Sequence, residues 1–153
     1  MADDPRTVRS LAVTVGDVVA AYETRRRSSR RPVLRVTPPF SGRMRARLHD
    51  PGPADESEAD DRNPETGALH VPPARFVAEA DVPAYPTPDA TEDALRADPD
   101  AEFSVERHRE RHVEAVEAWR AAVGESIAAS VVLRVGDGTH RVEVKTLDGP
   151  SVG

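Results

Sequence analysis

Cysteine is absent from this chain of 153 residues, and aromatic residues make up only 4% of it. The lack of cysteine excludes disulfides, thiolate zinc sites and a cysteine nucleophile. No apolar run approaches the roughly 20 residues that a membrane helix needs. The opening sequence MADDPRTVRS also lacks the apolar segment of a secretory signal. We therefore expect a cytoplasmic protein whose core is built mainly from valine, alanine and leucine.

Lysine is almost missing as well, since Lys145 is the one lysine among 21 basic residues. The chain is nevertheless acidic, with a net charge of -6 and a pI of about 5.4. An acidic, lysine-poor composition is typical of proteins from salt-loving archaea, in which carboxylates keep the surface hydrated. A GC-rich bacterial genome also favours arginine over lysine. The composition favours a halophilic protein and leaves the bacterial alternative open.

The charges that are present fall into three blocks. Residues 1–49 carry a net charge of +7, residues 50–102 carry -12 and residues 103–153 carry -1. Nine of the 14 prolines lie in the middle block. Proline removes a backbone donor and like charges repel, so this block is poorly suited to regular structure. We predict one domain over residues 1–153, with a disordered acidic loop at 50–66 and an extended proline-rich crossing at 82–102 that contains one short helical turn.

Hydrophobic periodicity predicts two helices. TVGDVVAAYETRRR begins with Thr14 as N-cap and Asp17 three residues later, which resembles a capping box. A longer helix is predicted from about Val105 to Ser130, with Ser104 as its N-cap. At 100° per residue its apolar side faces the core, and we expect that side to pack against the final hairpin. Its members are His112, Val116, Trp119, Val123 and Ile127.

Alternating apolar residues predict the strands. VLRV and RMRARL are expected to be two strands joined by TPPFSG, and GALHV with ARFVA forms a proline-interrupted edge region. VVLRVGDGTHRVEVKTL predicts a hairpin that turns at Asp137 and Gly138, with Val135 opposite His140 and Leu133 opposite Val142. The predicted fold class is α+β: an antiparallel sheet of four to five strands packed against one long helix and one short N-terminal helix.

Arginine alternates with apolar residues in RMRARL, and alternate side chains of a strand share one face. Arg43, Arg45 and Arg47 are therefore predicted to point to the same side, where Arg35 of VLRV joins them. We call these four residues the arginine stripe. If all the strands share one sheet, the hairpin adds Lys145 and two more arginines to this open face. Arginine forks bind carboxylates and phosphates bidentately, so the candidate binding residues are Arg35, Arg43, Arg45, Arg47, Arg134 and Arg141.

Three interpretations of this basic face stay open: a solvated or internally paired surface, a site for an acidic protein partner, or a nucleic-acid footprint. No aromatic residues are interleaved with the arginines to stack bases, and the negative net charge does not steer nucleic acid toward the chain. We therefore expect a binding or regulatory module for an acidic protein, with no membrane partner. The neighbouring acidic tract is expected to screen the arginine stripe when no partner is bound.

HRERH places His108 and His112 one helical turn apart, which is a metal-chelating geometry. Glutamate does not follow the first histidine, so the zincin motif is not present. The favoured interpretation is a pair of helix-flank histidines. The alternative is a metal-dependent hydrolase that uses His108, His112 and His140. No nucleophile elbow, P-loop or dinucleotide glycine pattern occurs, and we expect no enzyme activity and no cofactor.

Two blocks carry a resemblance to known proteins: SLAVTVGDVVAAYETRRRSSRRPVLRVTPPFSGRMRARLH and VVLRVGDGTHRVEVKTL. They resemble small haloarchaeal proteins that are classed as domains of unknown function. The resemblance covers the two ends of the chain and skips the acidic middle. It implies a cytoplasmic protein in a high-salt interior, and it implies no particular activity.

Overall fold

The computed structural model describes residues 4–51, 60–136 and 138–147. In these residues three α-helices and seven β-strands form an α+β fold with two sheets. Short 3-10 turns cover Pro5–Thr7, Pro73–Phe76 and Glu79–Asp81. The elements are β1 (Ser10–Val13), α1 (Val15–Arg27), β2 (Val33–Val36), β3 (Arg43–Arg45), β4 (Arg47–His49), β5 (Leu69–Val71), α2 (Pro88–Ala97), α3 (Val105–Glu125), β6 (Ser130–Val135) and β7 (Gly138–Thr146).

The four-stranded sheet has the order β3-β1-β7-β6 and is mixed. Strand β1 runs parallel to both β3 and β7, while β6 and β7 pair antiparallel. The expectation of one purely antiparallel sheet is therefore wrong. The sequence-based prediction missed β1, because the alternation of Leu11 and Val13 with smaller residues extends over four residues only. Its partners lie far along the chain: Ser10 is opposite Arg43 on one side and Glu143 on the other.

The three-stranded sheet has the order β4-β2-β5 and is antiparallel throughout. The segment RMRARL, predicted as one strand, is divided between the two sheets at Ala46. Ala46 is fully buried, and its N–H donates to the carbonyl of Ala12 at 2.9 Å. A single basic face made by all the strands is therefore not formed. The predicted edge position of GALHV is confirmed, since β5 pairs with β2 at one side of this sheet.

Local capping chemistry set the helix starts as predicted. Thr14 Oγ1 accepts from the N–H of Asp17 at 3.0 Å, and Ser104 caps α3 through the N–H of Arg107. Helix α3 ends at Glu125, five residues earlier than predicted. Of the helices in the described part of the chain, none combines the length and the apolar character that crossing a membrane requires.

The crossing at 82–102 was predicted to be extended with one helical turn, but its centre forms the ten-residue helix α2. Thr87 Oγ1 accepts from the N–H of Ala90 at 3.1 Å. Pro88 lies in the first turn, where backbone N–H groups have no acceptor within the helix, so a proline there costs no hydrogen bond. Leu95 is fully buried on the inner side. A capped start and two buried residues, Thr91 and Leu95, therefore support a helix in this acidic segment.

Trp119 is buried, with 2% of its surface exposed, as expected for the inner side of α3. Its aromatic contacts differ from the prediction. The ring stacks on Tyr22 of α1 at 5.8 Å and meets the edge of Tyr85 at 4.7 Å, and its N–H donates to the carbonyl of Pro83. Trp119 therefore connects α3 to α1 and to the crossing segment, whereas the sequence predicts that it packs against the final hairpin.

The final hairpin is present, but its register differs by two residues from the prediction. Val135 pairs with Gly138, and Leu133 pairs with His140. Gly136 adopts a φ of +64°, a left-handed conformation that glycine accepts readily, so the chain reverses earlier than expected. Because side chains alternate with a period of two, this shift leaves every side chain on its predicted face.

Part of the acidic loop predicted to be disordered is built into the fold. Asp61 is 3% exposed, and its carboxylate accepts from Arg75 at 2.5 Å and from the N–H of Arg134 at 2.7 Å. Asn63 closes the following turn by accepting from the N–H groups of Glu65 and Thr66. Residues 52–59 of the predicted loop lie outside the described residues.

Candidate anion-binding site

An open cleft of about 1130 Å³ lies along the outer face of the four-stranded sheet. Small residues form its floor, including Ser10 and Gly42, and long cationic side chains form its walls. We call it the basic cleft. Its cationic residues are Arg6, Arg9, Arg43, Arg141 and Lys145.

Strand register explains this shape. Leu11 and Val13 of β1 face the core and are fully buried, so Ser10 and Ala12 face outward. Ser10, the outward residue of β1 that lines the cleft, is flanked by Arg43 of β3 and Glu143 of β7. The central strand therefore carries a short side chain between two strands that carry long ones. A trough with charged walls is the geometric result.

The basic cleft carries an excess of positive charge. Glu143 is the one acidic residue among the described residues that line it, and Glu143 pairs with Lys145 at 3.1 Å. Arg141 donates to Ser130 Oγ at 2.9 Å. By contrast, the guanidinium groups of Arg9 and Arg43 have no carboxylate within ion-pair distance in the described part of the chain. Their donors are available to a ligand.

His140 also lines the basic cleft, but its hydrogen bond gives it a structural role. Its Nε2 lies 2.5 Å from the carbonyl oxygen of Val8, and a carbonyl can only accept, so Nε2 carries the donated hydrogen. This bond ties β7 to the segment before β1. His140 is thereby held at the cleft and away from the histidines of α3.

A second, smaller cleft of about 380 Å³ lies where the two sheets meet. Arg35 is opposite Arg47 on one side and His70 on the other, so three side chains form a row across the three-stranded sheet. Burial, and then the positive charges of His49 and Arg35, lower the pKa of His70. The residues that line this second cleft are Arg35, Thr37, Met44, Arg45, Arg47, Leu48 and His49.

The structure thus divides the six predicted binding residues. Arg43 and Arg141 line the basic cleft, whereas Arg35, Arg45 and Arg47 line the second cleft. The remaining candidate, Arg134, is exposed on β6 and lines neither of them.

The described carboxylates of the acidic middle block do not screen the arginine stripe. Asp50 pairs with Arg30, and Asp61 is buried against Arg75. Asp60 caps the N–H of Arg62. Among the described residues, no carboxylate pairs with a member of the stripe. Whether residues 52–59 do so lies outside the described part of the chain.

The histidines of α3 attach α2 to it. His108 Nε2 lies 2.9 Å from the carbonyl oxygen of Pro88, and His112 Nδ1 lies 3.0 Å from Thr91 Oγ1. The alternative set of His108, His112 and His140 is not brought together. Within residues 4–51, 60–136 and 138–147, no group of three or more histidines and carboxylates is arranged to hold a metal ion.

Arg6 and Arg9 are residues of the basic cleft that the sequence-based prediction missed. Arg9 directly precedes the segment SLAV, and Arg6 lies three residues before Arg9. The alternate residues Leu11 and Val13 of this segment are apolar. This alternation was the available signal. Taken as a strand, it would have placed Arg9 beside a sheet face, although the identity of the neighbouring strands would have stayed unknown.

Comparison with known proteins places the chain in a family without supplying an activity. No curated protein matches it. No solved structure matches it either. One family model covers residues 1–148, and this chain therefore belongs to the family described as a domain of unknown function, DUF8009.

Proposed function

We propose that this protein is a non-catalytic binding module whose basic cleft holds an acidic segment of a partner protein. The observation that supports it is the cluster of five cations around one trough, with a single carboxylate among the described residues that line it. Carboxylates accept two parallel hydrogen bonds from a guanidinium. Arg9 and Arg43 can therefore each hold an acidic side chain without first giving up an internal partner.

The shape of the basic cleft favours a polypeptide over nucleic acid. No aromatic residue is among its described lining residues, so bases have no platform on which to stack. The net charge of -6 also opposes the approach of a long polyanion. A short acidic segment avoids both difficulties, because its contacts are local and do not rely on stacking.

High salt also favours a polypeptide ligand over nucleic acid. In the proposed setting, the salty cytoplasm of a halophile, the Debye length is about 3 Å at 1 M salt. Attraction between separated charges is then largely lost. Nucleic-acid affinity falls steeply with salt, whereas direct bidentate bonds at a concave site keep part of their strength.

The test is to measure binding of a fluorescent polyglutamate peptide by anisotropy, with polyglutamine and an oligonucleotide as comparison ligands. We expect Arg43→Gln with Arg141→Gln to weaken peptide binding by at least about tenfold, which is 1.4 kcal/mol. The matched control replaces Arg107 and Arg109 by glutamine, because both are exposed on α3 and the charge change is the same.

Three outcomes contradict the proposal. Equal losses in the two double variants would show that only net charge matters. If the wild-type protein does not bind polyglutamate, the basic cleft is only a solvated face of the sheet. Tighter binding of the oligonucleotide than of the peptide, abolished by the cleft variant, would establish the nucleic-acid alternative.

A further inference from the structure

The second cleft gathers like charges that the described part of the chain leaves unbalanced. Residues directly opposite each other on paired strands have Cβ atoms about 5 Å apart. Arg47, Arg35 and His70 occupy such a row, and the rings of His49 and His70 are 5.3 Å apart. Like charges placed opposite each other destabilise a sheet. An anion bound beside Arg35 and Arg47 would offset this repulsion.

Two buried atoms of this row lack hydrogen-bond partners among the described residues. They are Nε of Arg35 and Nε2 of His70. Buried polar atoms are nearly always paired, and an unpaired one calls for an explanation such as an absent ion. Arg35 sits at the centre of the row and is half-buried, so water competes weakly for its guanidinium.

The arginines of the second cleft are attached to both sheets. Arg45 belongs to β3 of the mixed sheet, and Arg47 belongs to β4 of the antiparallel sheet. Buried Ala46 joins them and is fastened to β1 by its N–H. The two arginines therefore line the cleft from separate sheets, with the short, hydrogen-bonded link at Ala46 between them. A site on strands loses little freedom when a ligand binds.

We propose that the second cleft binds a phosphate group, through Arg35, Arg45 and Arg47. Three arginines around about 380 Å³ match a dianion with several acceptor oxygens better than they match a carboxylate, which accepts one fork. The site is also distinct from the basic cleft, because none of these three arginines lines that cleft. Phosphate binding here does not depend on the acidic-segment proposal.

The wild-type protein supplies its own control. Titration with inorganic phosphate, followed by NMR of the five histidine rings, should move the His49 signals in a saturable way. His108 and His112, which bind α2 elsewhere, should stay in place. Absence of a saturable His49 shift, or equal shifts of all three rings, would overturn the proposal.

Variants and competing anions test the arginines themselves. Arg45 and Arg47 are exposed, so Arg45→Gln and Arg47→Gln should fold, and each should weaken phosphate binding about tenfold. Arg109→Gln on α3 should change it less than about twofold. Acetate that binds as tightly as phosphate, or an equal loss in Arg109→Gln, would refute a phosphate site. O-phosphoserine and a nucleoside monophosphate carry the same group, and the tighter of them identifies the natural source.

Discussion

The arginines of the helical side and those of the sheet side differ in their partners. Outside the strands, six arginines form ion pairs in the described part of the chain: Arg26 with Glu79, Arg30 with Asp50, Arg75 with Asp61, Arg96 with Glu92, Arg111 with Asp98, and Arg120 with Glu23. On the sheet side, five arginines have no carboxylate partner in the described part of the chain: Arg9, Arg35, Arg43, Arg45 and Arg47.

This contrast explains where the charge of the acidic middle block goes. Of its twelve described carboxylates, those at positions 50, 61, 79, 92 and 98 form ion pairs, and none of these pairs involves the arginine stripe. The block adjoins the stripe in sequence, but its described ion pairs are formed with other arginines. Among the described residues, the arginine stripe therefore forms no ion pair with the block that follows it in sequence.

The largest effect is expected at the buried pair. Asp61→Ala leaves Arg75 without its partner and the N–H of Arg134 without an acceptor, and we expect a loss of about 3 kcal/mol in the free energy of unfolding. Urea denaturation measures it. Asp93→Ala, on the exposed side of α2, should cost less than about 0.5 kcal/mol. Similar values for the two variants would show that the buried pair is dispensable.

The pair between Glu23 and Arg120 should make stability depend on pH. Burial opposes ionisation of Glu23, but hydrogen bonds from Arg120 and Tyr85 outweigh it, so its pKa lies below the ordinary value. A lowered carboxyl pKa stabilises the fold above the unfolded-state pKa, and this stability is lost as the pH falls through the folded-state pKa.

Glu23→Gln should therefore cost about 2 kcal/mol near pH 7. The difference from the wild type should shrink as the pH falls below about 4.3, where an unperturbed glutamate takes up its proton. Urea denaturation across a pH series checks this prediction. A difference that stays constant down to the acid limit would mean that Glu23 acts by packing and not by its charge.

An exposed pair should matter less. Arg96 binds Glu92 one turn away on α2 and lies 3.8 Å above the ring of Phe103. Arg96→Gln removes both contacts, and we expect a loss of about 0.8 kcal/mol, from a helical ion pair and a cation–π contact. Thermal unfolding compared with Arg107→Gln, another exposed helical arginine, measures it. Equal stability of the two variants would show that the contacts of Arg96 with Glu92 and Phe103 do not stabilise the protein.

The smallest effect is expected on the sheet side, and its sign is opposite. Arg47 is directly opposite Arg35, so Arg47→Gln removes a like-charge contact. We expect a gain of about 0.5 kcal/mol at low salt. Repulsion between exposed charges is screened, so the gain should vanish near 1 M salt, where the Debye length is about 3 Å. Denaturation at two salt concentrations measures it, and a clear loss of stability at low salt would show that Arg47 has an internal partner.

Local features were predictable from the sequence because the responsible atoms are close along the chain. Thr14 and Ser104 cap their helices through N–H groups three residues away. The alternation of Arg43, Arg45 and Arg47 with apolar or small residues placed their side chains on the exposed side. The predicted hairpin faces also survived a register error, because an even shift does not change sides.

Long-range features were not predictable by the same means. Strand β1 has parallel partners about 30 and 130 residues away, and no local pattern specifies them. The division of RMRARL at Ala46 depends on which strands lie beside it. The expected single basic face is divided at the same point, and the stripe supplies arginines to two clefts.

The sequence alone determined the α+β class, the helix starts, the exposure of Arg43, Arg45 and Arg47, and the acidic, lysine-poor composition. These follow from composition, period and capping, which act over a few residues. Only the tertiary structure decided which arginines acquire carboxylate partners and which meet around a common cleft. Pairing of charges and of strands depends on distance in space: the fold brings Ser10 between Arg43 and Glu143, and the described ion pairs of the acidic block form with arginines outside the stripe.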